Sequence, residues 1–230
     1  MTAPVGLPAD LQLGAHRVTY RAARMHSARL VLIIITGIVT LPVFGIGLVF
    51  LYLAFRTPNL SKKQAAKNIN LFQGGLVVAD GSGPVSVYRW DAMTVLQEIT
   101  RRYVNGVYVG TTYKYTLLGA DGGTTKLTEF YSKPEEWGPL IQREVTVAQL
   151  PRVMETIGRG GTCRFGDLAI SRDGLSIGER ALGWPEIQEI DVASGYLRIK
   201  KTGKFLRSTQ PVSKIPNFFV FLSAVHEVRG

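Results

Sequence analysis

The residues that could carry out chemistry are few and far apart in the sequence. The chain has one cysteine, Cys163, and three histidines, of which His226 lies near the C-terminus. A thiol beside an imidazole can act as a nucleophile, but no motif joins Cys163 to His226. A single cysteine also excludes an intramolecular disulfide and any metal site with several cysteine ligands. We therefore predict no catalytic residue, no metal site and no cofactor, and we expect a protein that is not an enzyme.

Two other stretches resemble functional motifs only in part. Glu135 and Glu136 form a pair of carboxylates, but with Ser132 upstream they fit the capping box and first turn of a helix. The glycine-rich residues 158–161 resemble half of a phosphate-binding loop, but they follow a predicted helix and lack the lysine and hydroxyl residue of that motif. We interpret the first stretch as a helix start and the second as a linker.

The densest group of cations lies in residues 196–207, which contain five Lys and Arg and no acid. In a strand, alternation would place Arg198 and Lys200 on one face and Leu197 and Ile199 on the other. Such a patch would attract an anionic lipid headgroup or an acidic partner. Alternatively, the cations protect an exposed strand edge from pairing with another chain. The candidate binding residues are Arg198, Lys200, Lys201, Lys204 and Arg207.

The most apolar stretch is residues 30–55, which contain no Asp, Glu, Lys, Arg or His in a chain of net charge +10. An apolar run of this length is typical of a transmembrane helix. Pro42 and Gly45 interrupt it, so the alternatives are one tilted or kinked span, a hairpin with both ends cytoplasmic, and a buried helix or removed signal. Residues 1–70 hold eight Lys and Arg against Asp10 alone. We therefore predict a cell-membrane protein whose remaining part lies in the cytoplasm.

The rest of the chain has the pattern of short strands followed by a helix, twice over. Asn105-Gly106 predicts a type I′ turn between two long strands, and Pro134 begins a helical pattern that Pro151 divides. Trp90 and Trp184 have similar local surroundings and are predicted to occupy equivalent buried positions. The predicted segments are a basic N-terminal segment (1–28), a transmembrane segment (29–56), a juxtamembrane tether (57–70) and two repeated units (71–158 and 159–230).

A family resemblance supports this reading of the two units. Their order of strands and closing helix resembles tandem pleckstrin-homology-like modules of bacterial membrane proteins. In addition, four motifs look like those of an uncharacterised bacterial family, a domain of unknown function: residues 106–113, Phe165-Gly166, Trp184 and residues 215–218. The resemblance implies a mainly β (α+β) fold, with a transmembrane helix or hairpin followed by two pleckstrin-homology-like β-barrel or sandwich units, each closed by a helix. It implies no activity.

Three hypotheses about function follow. The first is a non-enzymatic, membrane-anchored scaffold that binds a protein partner or anionic lipid. The second is an enzyme with an unrecognised site, which the scarcity of convergent ionisable residues disfavours. The third is a nucleic-acid binder, because tyrosines at 103, 108, 113 and 115 interleave with Arg101, Arg102 and Lys114. Most of the excess charge lies outside residues 71–230, so we predict no nucleic-acid partner. The sequence identifies neither the protein partner nor the oligomeric state.

Overall fold

The computed structural model describes residues 12–42, 45–81, 83, 85–203 and 207–229, without the side chain of Arg207. The chain divides into two compact units. Unit 1 comprises Met1–Val87 and Glu129–Lys133, and unit 2 comprises Tyr88–Thr128 and Pro134–Gly230. The predicted boundary at residues 158 and 159 lies inside unit 2.

The first four described strands are β1 (His16–Arg21), β2 (Asn68–Phe72), β3 (Gly75–Ala79) and β4 (Ser86–Arg89). They form an antiparallel sheet with the order β1-β2-β3-β4. The boundary between the units falls within β4, after Val87. The most buried side chains of unit 1 include Ile69, Leu76 and Val77, which are all fully enclosed. The predicted basic segment and tether missed β1 and the start of β2.

Between β1 and β2 the described residues form three helices: α1 (Ser27–Thr40), α2 (Ile46–Phe55) and α3 (Lys62–Ala65). The apolar run is thus divided, since Pro42 lies beyond α1 and Gly45, with φ of 68°, precedes α2. Within the described residues, every helix is too short or too polar to cross a membrane. The predicted transmembrane segment is therefore wrong, and so is the predicted location in the cell membrane, which depended on that segment.

Helices α1 and α2 pack on each other through glycines. A Cβ atom on Gly47 would overlap the carbonyl oxygen of Gly37, so the two backbones approach too closely for any larger residue. The side chain of Leu51 also lies at this contact, beside Gly37. Most of the other large apolar side chains of both helices are exposed; Val39 is 68% exposed and Phe55 is 66% exposed.

The described strands of unit 2 are β5 (Thr94–Val104), β6 (Val107–Leu118), β7 (Thr124–Thr128), β8 (Cys163–Phe165), β9 (Leu168–Ile170), β10 (Gly174–Ile177), β11 (Arg180–Gly183), β12 (Ile187–Ala193), β13 (Tyr196–Lys201) and β14 (Arg207–Pro211). They form three further antiparallel sheets, with the orders β5-β6-β7, β11-β10-β9-β8 and β12-β13-β14. The predicted two-residue turn is confirmed, because Asn105 and Gly106 have φ of 49° and 81° and connect β5 to β6.

Two helices, α4 (Pro134–Gly158) and α5 (Phe218–Arg229), form the core of unit 2 with these sheets. Trp137, Ile141 and Val145 recur every four residues on α4 and are buried. The predicted start at Pro134 is confirmed, with Glu135 and Glu136 in the first turn. The predicted break at Pro151 is wrong, because α4 continues through it to Gly158.

The prediction of two pleckstrin-homology-like β-barrel or sandwich units is wrong. The described strands form four small antiparallel sheets, and the fold is mixed α/β. The physical reason lies in two turns at which the chain leaves one sheet and begins another. After β4 the amides of Ala92 and Met93 donate to the carbonyl of Arg89, and after β11 a 3-10 turn spans Trp184–Glu186. Trp90 is buried as predicted, whereas Trp184 is only half-buried.

A candidate binding groove in unit 2

Strand β5 is buried at its start and exposed at its end. Val95 and Gln97 lie in the core, whereas all the residues from 98 to 104 are exposed. The paired strand β6 shows the reverse order, because Tyr115 and Leu117 are buried and the residues nearest the turn are exposed. The β5–β6 hairpin therefore extends beyond the core, where α4 and α5 cover only its base.

A buried polar cluster marks the edge of the core. Nε2 of Gln142 on α4 donates to Oε1 of Gln97 at 2.5 Å and to the hydroxyl of Tyr115 at 2.7 Å. Burial, with a smaller contribution from Tyr113, raises the pKa of Tyr115, although the bond from Gln142 lowers it. The ring of Tyr115 also packs edge to face on Trp137, with centroids 5.2 Å apart. The phenol therefore stays neutral and holds α4 against β6.

Asn217 fixes the start of β5 from the other side. Its backbone amide donates to the carbonyl of Val95 at 2.9 Å, and its Oδ1 accepts from the amide of Val95 at 2.7 Å. Its Nδ2 donates to the carbonyl of Met93 at 3.2 Å and to Oε1 of Gln149 at 2.8 Å. Asn217 has φ of 48°, a conformation that asparagine tolerates better than most residues. Asn217, the residue immediately before α5, thus occupies the hydrogen-bonding edge of β5.

Beyond Asn217, a groove of about 860 Å³ opens between β5 and the third sheet of unit 2. We call it the β5 groove. One wall is formed by residues 97–101 and 103 of β5, and the other by residues 194–196 and 211–213 with Val192 and the start of α5. Five large apolar side chains line it although they are exposed: Tyr103 (57%), Tyr196 (46%), Ile99 (43%), Val192 (43%) and Phe219 (39%).

The charged side chains of the β5 groove differ in their partners. Glu98 is held by Lys114 from the opposite strand at 2.8 Å. For Arg101, by contrast, the described part of the chain shows no ion pair or side-chain hydrogen bond. The groove therefore combines apolar walls with one cation whose charge the surrounding described residues leave uncompensated.

The predicted cationic patch lies on β13 and β14. Leu197 and Ile199 are buried while Arg198 and Lys200 are half-buried, so the predicted alternation is confirmed. On the adjacent strand β12, Asp191 is opposite Arg198 and Glu189 is opposite Lys200. Lys201 forms an ion pair of 2.7 Å with Glu186. Lys204 and the side chain of Arg207 lie outside the described residues, and binding of an anionic ligand at this patch stays a prediction.

In the part of the chain that the structure describes, no hydrogen bond joins Cys163 to His226. The thiol of Cys163 is half-buried and lies 3.7 Å from the carbonyl oxygen of Val153. Burial raises its pKa, so the unreactive protonated form is favoured. His226 is exposed on α5. Among the described residues, no group of three His, Cys, Asp or Glu is placed to hold a metal ion.

The sequence revealed half of the β5 groove. The alternation of Tyr103 and Tyr108 with Arg101 and Arg102 is visible in the sequence, where it also fits a stacking platform for nucleic acid. The opposite wall, with Tyr196 and Phe219, follows about a hundred residues later and has no local signal that joins it to β5. Only the tertiary fold brings the two walls together.

Comparisons with known proteins identify a family but no function. The model described as "Family of unknown function (DUF6585)" matches residues 1–229. No curated protein and no solved structure matches the chain. The predicted resemblance to a domain of unknown function is thus confirmed.

Proposed function

The chain belongs to the family of unknown function DUF6585, and we propose that it is a non-enzymatic module that binds a partner protein in the β5 groove of unit 2. The observation that carries this proposal is the set of five exposed large apolar side chains that line one groove. Contiguous apolar patches of this kind on a protein surface mark sites of interaction. Tyrosines in particular are enriched at the centres of protein interfaces.

The ionisable groups of the groove support binding rather than catalysis. Among its lining residues Glu98 is the only carboxylate, and Lys114 already holds it. No histidine or cysteine is among these described lining residues, so a general base and a nucleophile are not brought within reach of each other there. An enzyme with an unrecognised site is the alternative that this arrangement disfavours.

Two interpretations from the sequence remain as predictions beside this proposal. Binding of anionic ligands by the patch of Arg198, Lys200, Lys201, Lys204 and Arg207 is a separate hypothesis, and the facing acids Asp191 and Glu189 reduce the net charge there. The bacterial source implied by the resemblance likewise stays a prediction.

Crosslinking from defined positions tests the proposal. A photoreactive amino acid is introduced separately at Tyr103, at Tyr196 and, as a control, at Glu179, which is exposed outside the groove. In cell extract, both groove positions should crosslink to the same protein, and the control position should not. Adding Phe219→Ser should weaken the crosslink, because burying an aromatic side chain at an interface contributes about 1 kcal/mol or more.

Two results would count against the proposal. The first is equal crosslinking from Glu179, which would indicate non-specific contact. The second is a crosslink that Phe219→Ser leaves unchanged while circular dichroism shows the variant to be folded, because the partner would then bind without using the groove.

A further inference from the structure

We infer, building on the proposed function, that the bound segment is an extended strand of a partner protein that adds to the free edge of β5 and places an acidic side chain beside Arg101. β5 is the first strand in its sheet, with β6 on one side. The other edge of residues 98–104 has no strand neighbour in the described part of the chain. Unpaired strand edges bind extended segments through backbone hydrogen bonds.

The bonds of Asn217 show which backbone groups of β5 point to this edge. Both the amide and the carbonyl of Val95 bond to Asn217, so they face away from β6. In an antiparallel sheet, the direction of these groups alternates from one residue to the next. The amides and carbonyls of Ile99, Arg101 and Tyr103 therefore also face outward, and Asn217 occupies the place that a strand neighbour would take beside Val95.

The bulge near the turn leaves this edge regular. Arg102 is opposite Gly110 and Tyr103 is opposite Tyr108, so the extra residue of the bulge is Val109 on β6. Bulges on an edge strand hinder further pairing, but this one is on the inner strand of the pair. β5 also has no proline or lysine between residues 98 and 104, which are common protections of an edge.

The side chains specify the chemistry of the added strand. Ile99, Arg101 and Tyr103 share one face of β5 and line the groove. On that face the added strand would meet Tyr196 and Phe219, which favours apolar side chains at alternate positions. Arg101 lacks an ion pair among the described residues, which favours one acidic side chain opposite it. A lipid or a compact anion would satisfy neither the backbone groups nor the alternation.

The test uses a displayed library of random ten-residue peptides, selected on the full chain and counter-selected on the double variant Tyr196→Ser, Phe219→Ser. Peptides that depend on the groove should alternate apolar residues around one Asp or Glu. Two N-methylated versions of a selected peptide are compared, one methylated at the odd-numbered amides and one at the even-numbered amides. One version should bind about tenfold more weakly and the other nearly as well as the parent peptide, because only every second amide of the peptide bonds to β5. Amide hydrogen exchange at Ile99, Arg101 and Tyr103 should slow in the complex.

A matched pair of variants tests the charge. Arg101→Glu should weaken the selected peptide about fivefold, and a peptide with Lys in place of its acid should restore binding. Arg102→Glu makes the same change of charge at a residue that does not line the groove, and it should have little effect.

The outcomes separate this inference from the proposed function. If no groove-dependent peptide is recovered, the proposed function fails together with the inference. If both N-methylated versions bind as well as the parent peptide and the three amides exchange unchanged, the groove binds side chains and strand addition is wrong. If the same amides become protected without peptide as the chain concentration rises, the edge pairs with a second copy, and the inferred partner is wrong.

Discussion

Trp90 and Trp184 both follow the last strand of a four-stranded sheet and precede the first strand of a three-stranded one, yet their surroundings differ. Trp90 is 3% exposed, and Nε2 of Gln149 on α4 donates to its carbonyl at 2.8 Å. Trp184 is half-buried, and its Nε1 donates to the carbonyl of Arg172 at 3.0 Å. The first turn is part of the core, while the second lies at its margin.

The difference follows from which side chains hold each turn. At the first turn, the uncharged amides of Gln149 and Asn217 both donate to the carbonyl of Met93. At the second turn, Glu186 accepts from the amide of Gly183 and forms an ion pair with Lys201, and both side chains are about half exposed. Equal position in the order of elements therefore does not imply equal burial, because burial depends on which distant helix covers the turn.

Replacing each tryptophan by alanine should give the largest contrast. We expect Trp90→Ala to lower the free energy of unfolding by about 3–5 kcal/mol, as truncations of large core side chains do. Trp184→Ala should cost about 1 kcal/mol, because the tryptophan side chain is already partly in water in the folded state and the substitution removes only one hydrogen bond to a backbone carbonyl. Urea unfolding of both variants and the wild type provides the measurement. Equal losses for the two variants would mean that the turns are equivalent after all.

Asn217 should show the next largest effect. Asn217→Ala removes three side-chain hydrogen bonds and places alanine at positive φ, so we expect a loss of about 2–3 kcal/mol. Asn217→Gly is the matched control, because glycine loses the same hydrogen bonds but tolerates the backbone conformation. The glycine variant should therefore be about 1 kcal/mol more stable than the alanine variant. Equal stability would show that the backbone conformation is unstrained, and no loss in either would show that the bonds are replaceable.

Local turn chemistry explains what the sequence could predict. The β5–β6 turn follows from Asn105-Gly106 alone, since both residues tolerate positive φ. The alternation that buries Leu197 and exposes part of Arg198 likewise follows from strand geometry. The same local reasoning misinterpreted residues 30–55, because an apolar run without periodicity does not show where it turns. Pro42 and Gly45 were visible as breaks, but composition alone did not determine that they separate two short helices.

The cationic patch and the edge of the β5 groove both depend on contacts that local patterns do not contain. Strand register placed Asp191 opposite Arg198, and the acid cannot be assigned to the cation from spacing because the register is set by the whole sheet. In the same way, Asn217 meets Val95 across 122 residues. The motif of residues 215–218 resembles that of the family in sequence alone, but the role of Asn217 at the edge of β5 follows only from the three-dimensional structure.

The hydrogen bonds that join a helix to the start of each three-stranded sheet should show a smaller difference in stability between the two turns. Gln149 on α4 binds backbone carbonyls just before β5, and Arg229 at the end of α5 donates to the carbonyl of Ile187 at 2.7 Å. We expect Gln149→Ala to cost about 1–2 kcal/mol and Arg229→Ala about 0.5–1 kcal/mol, since Arg229 is the more exposed. Thermal unfolding at matched salt measures both. A larger loss of stability for Arg229→Ala than for Gln149→Ala would show that the contact at the margin of the core stabilises the fold more than the contact inside it.

The smallest effect concerns pH, and here the two turns should behave alike. A hydrogen bond from Arg89 lowers the pKa of Asp91 at the first turn, and one from Lys201 lowers the pKa of Glu186 at the second. A carboxyl whose pKa is lower in the folded state stabilises the fold above its unfolded pKa, about 4, and this stabilisation is lost as the pH falls through the folded pKa.

Both ion pairs are solvated, so each contribution should be small and should shrink further in about 1 M salt. The free energy of unfolding, measured from about pH 6 to about pH 3, should fall slightly less steeply for Asp91→Asn and for Glu186→Gln than for the wild type. The two variants should differ little from each other, because the carboxylates are partly exposed in both turns even though the two tryptophans differ in burial. If Asp91→Asn alone changed the pH dependence, the buried character of the first turn would extend to its charged residues, and the contrast between the two turns would be larger than their tryptophans indicate.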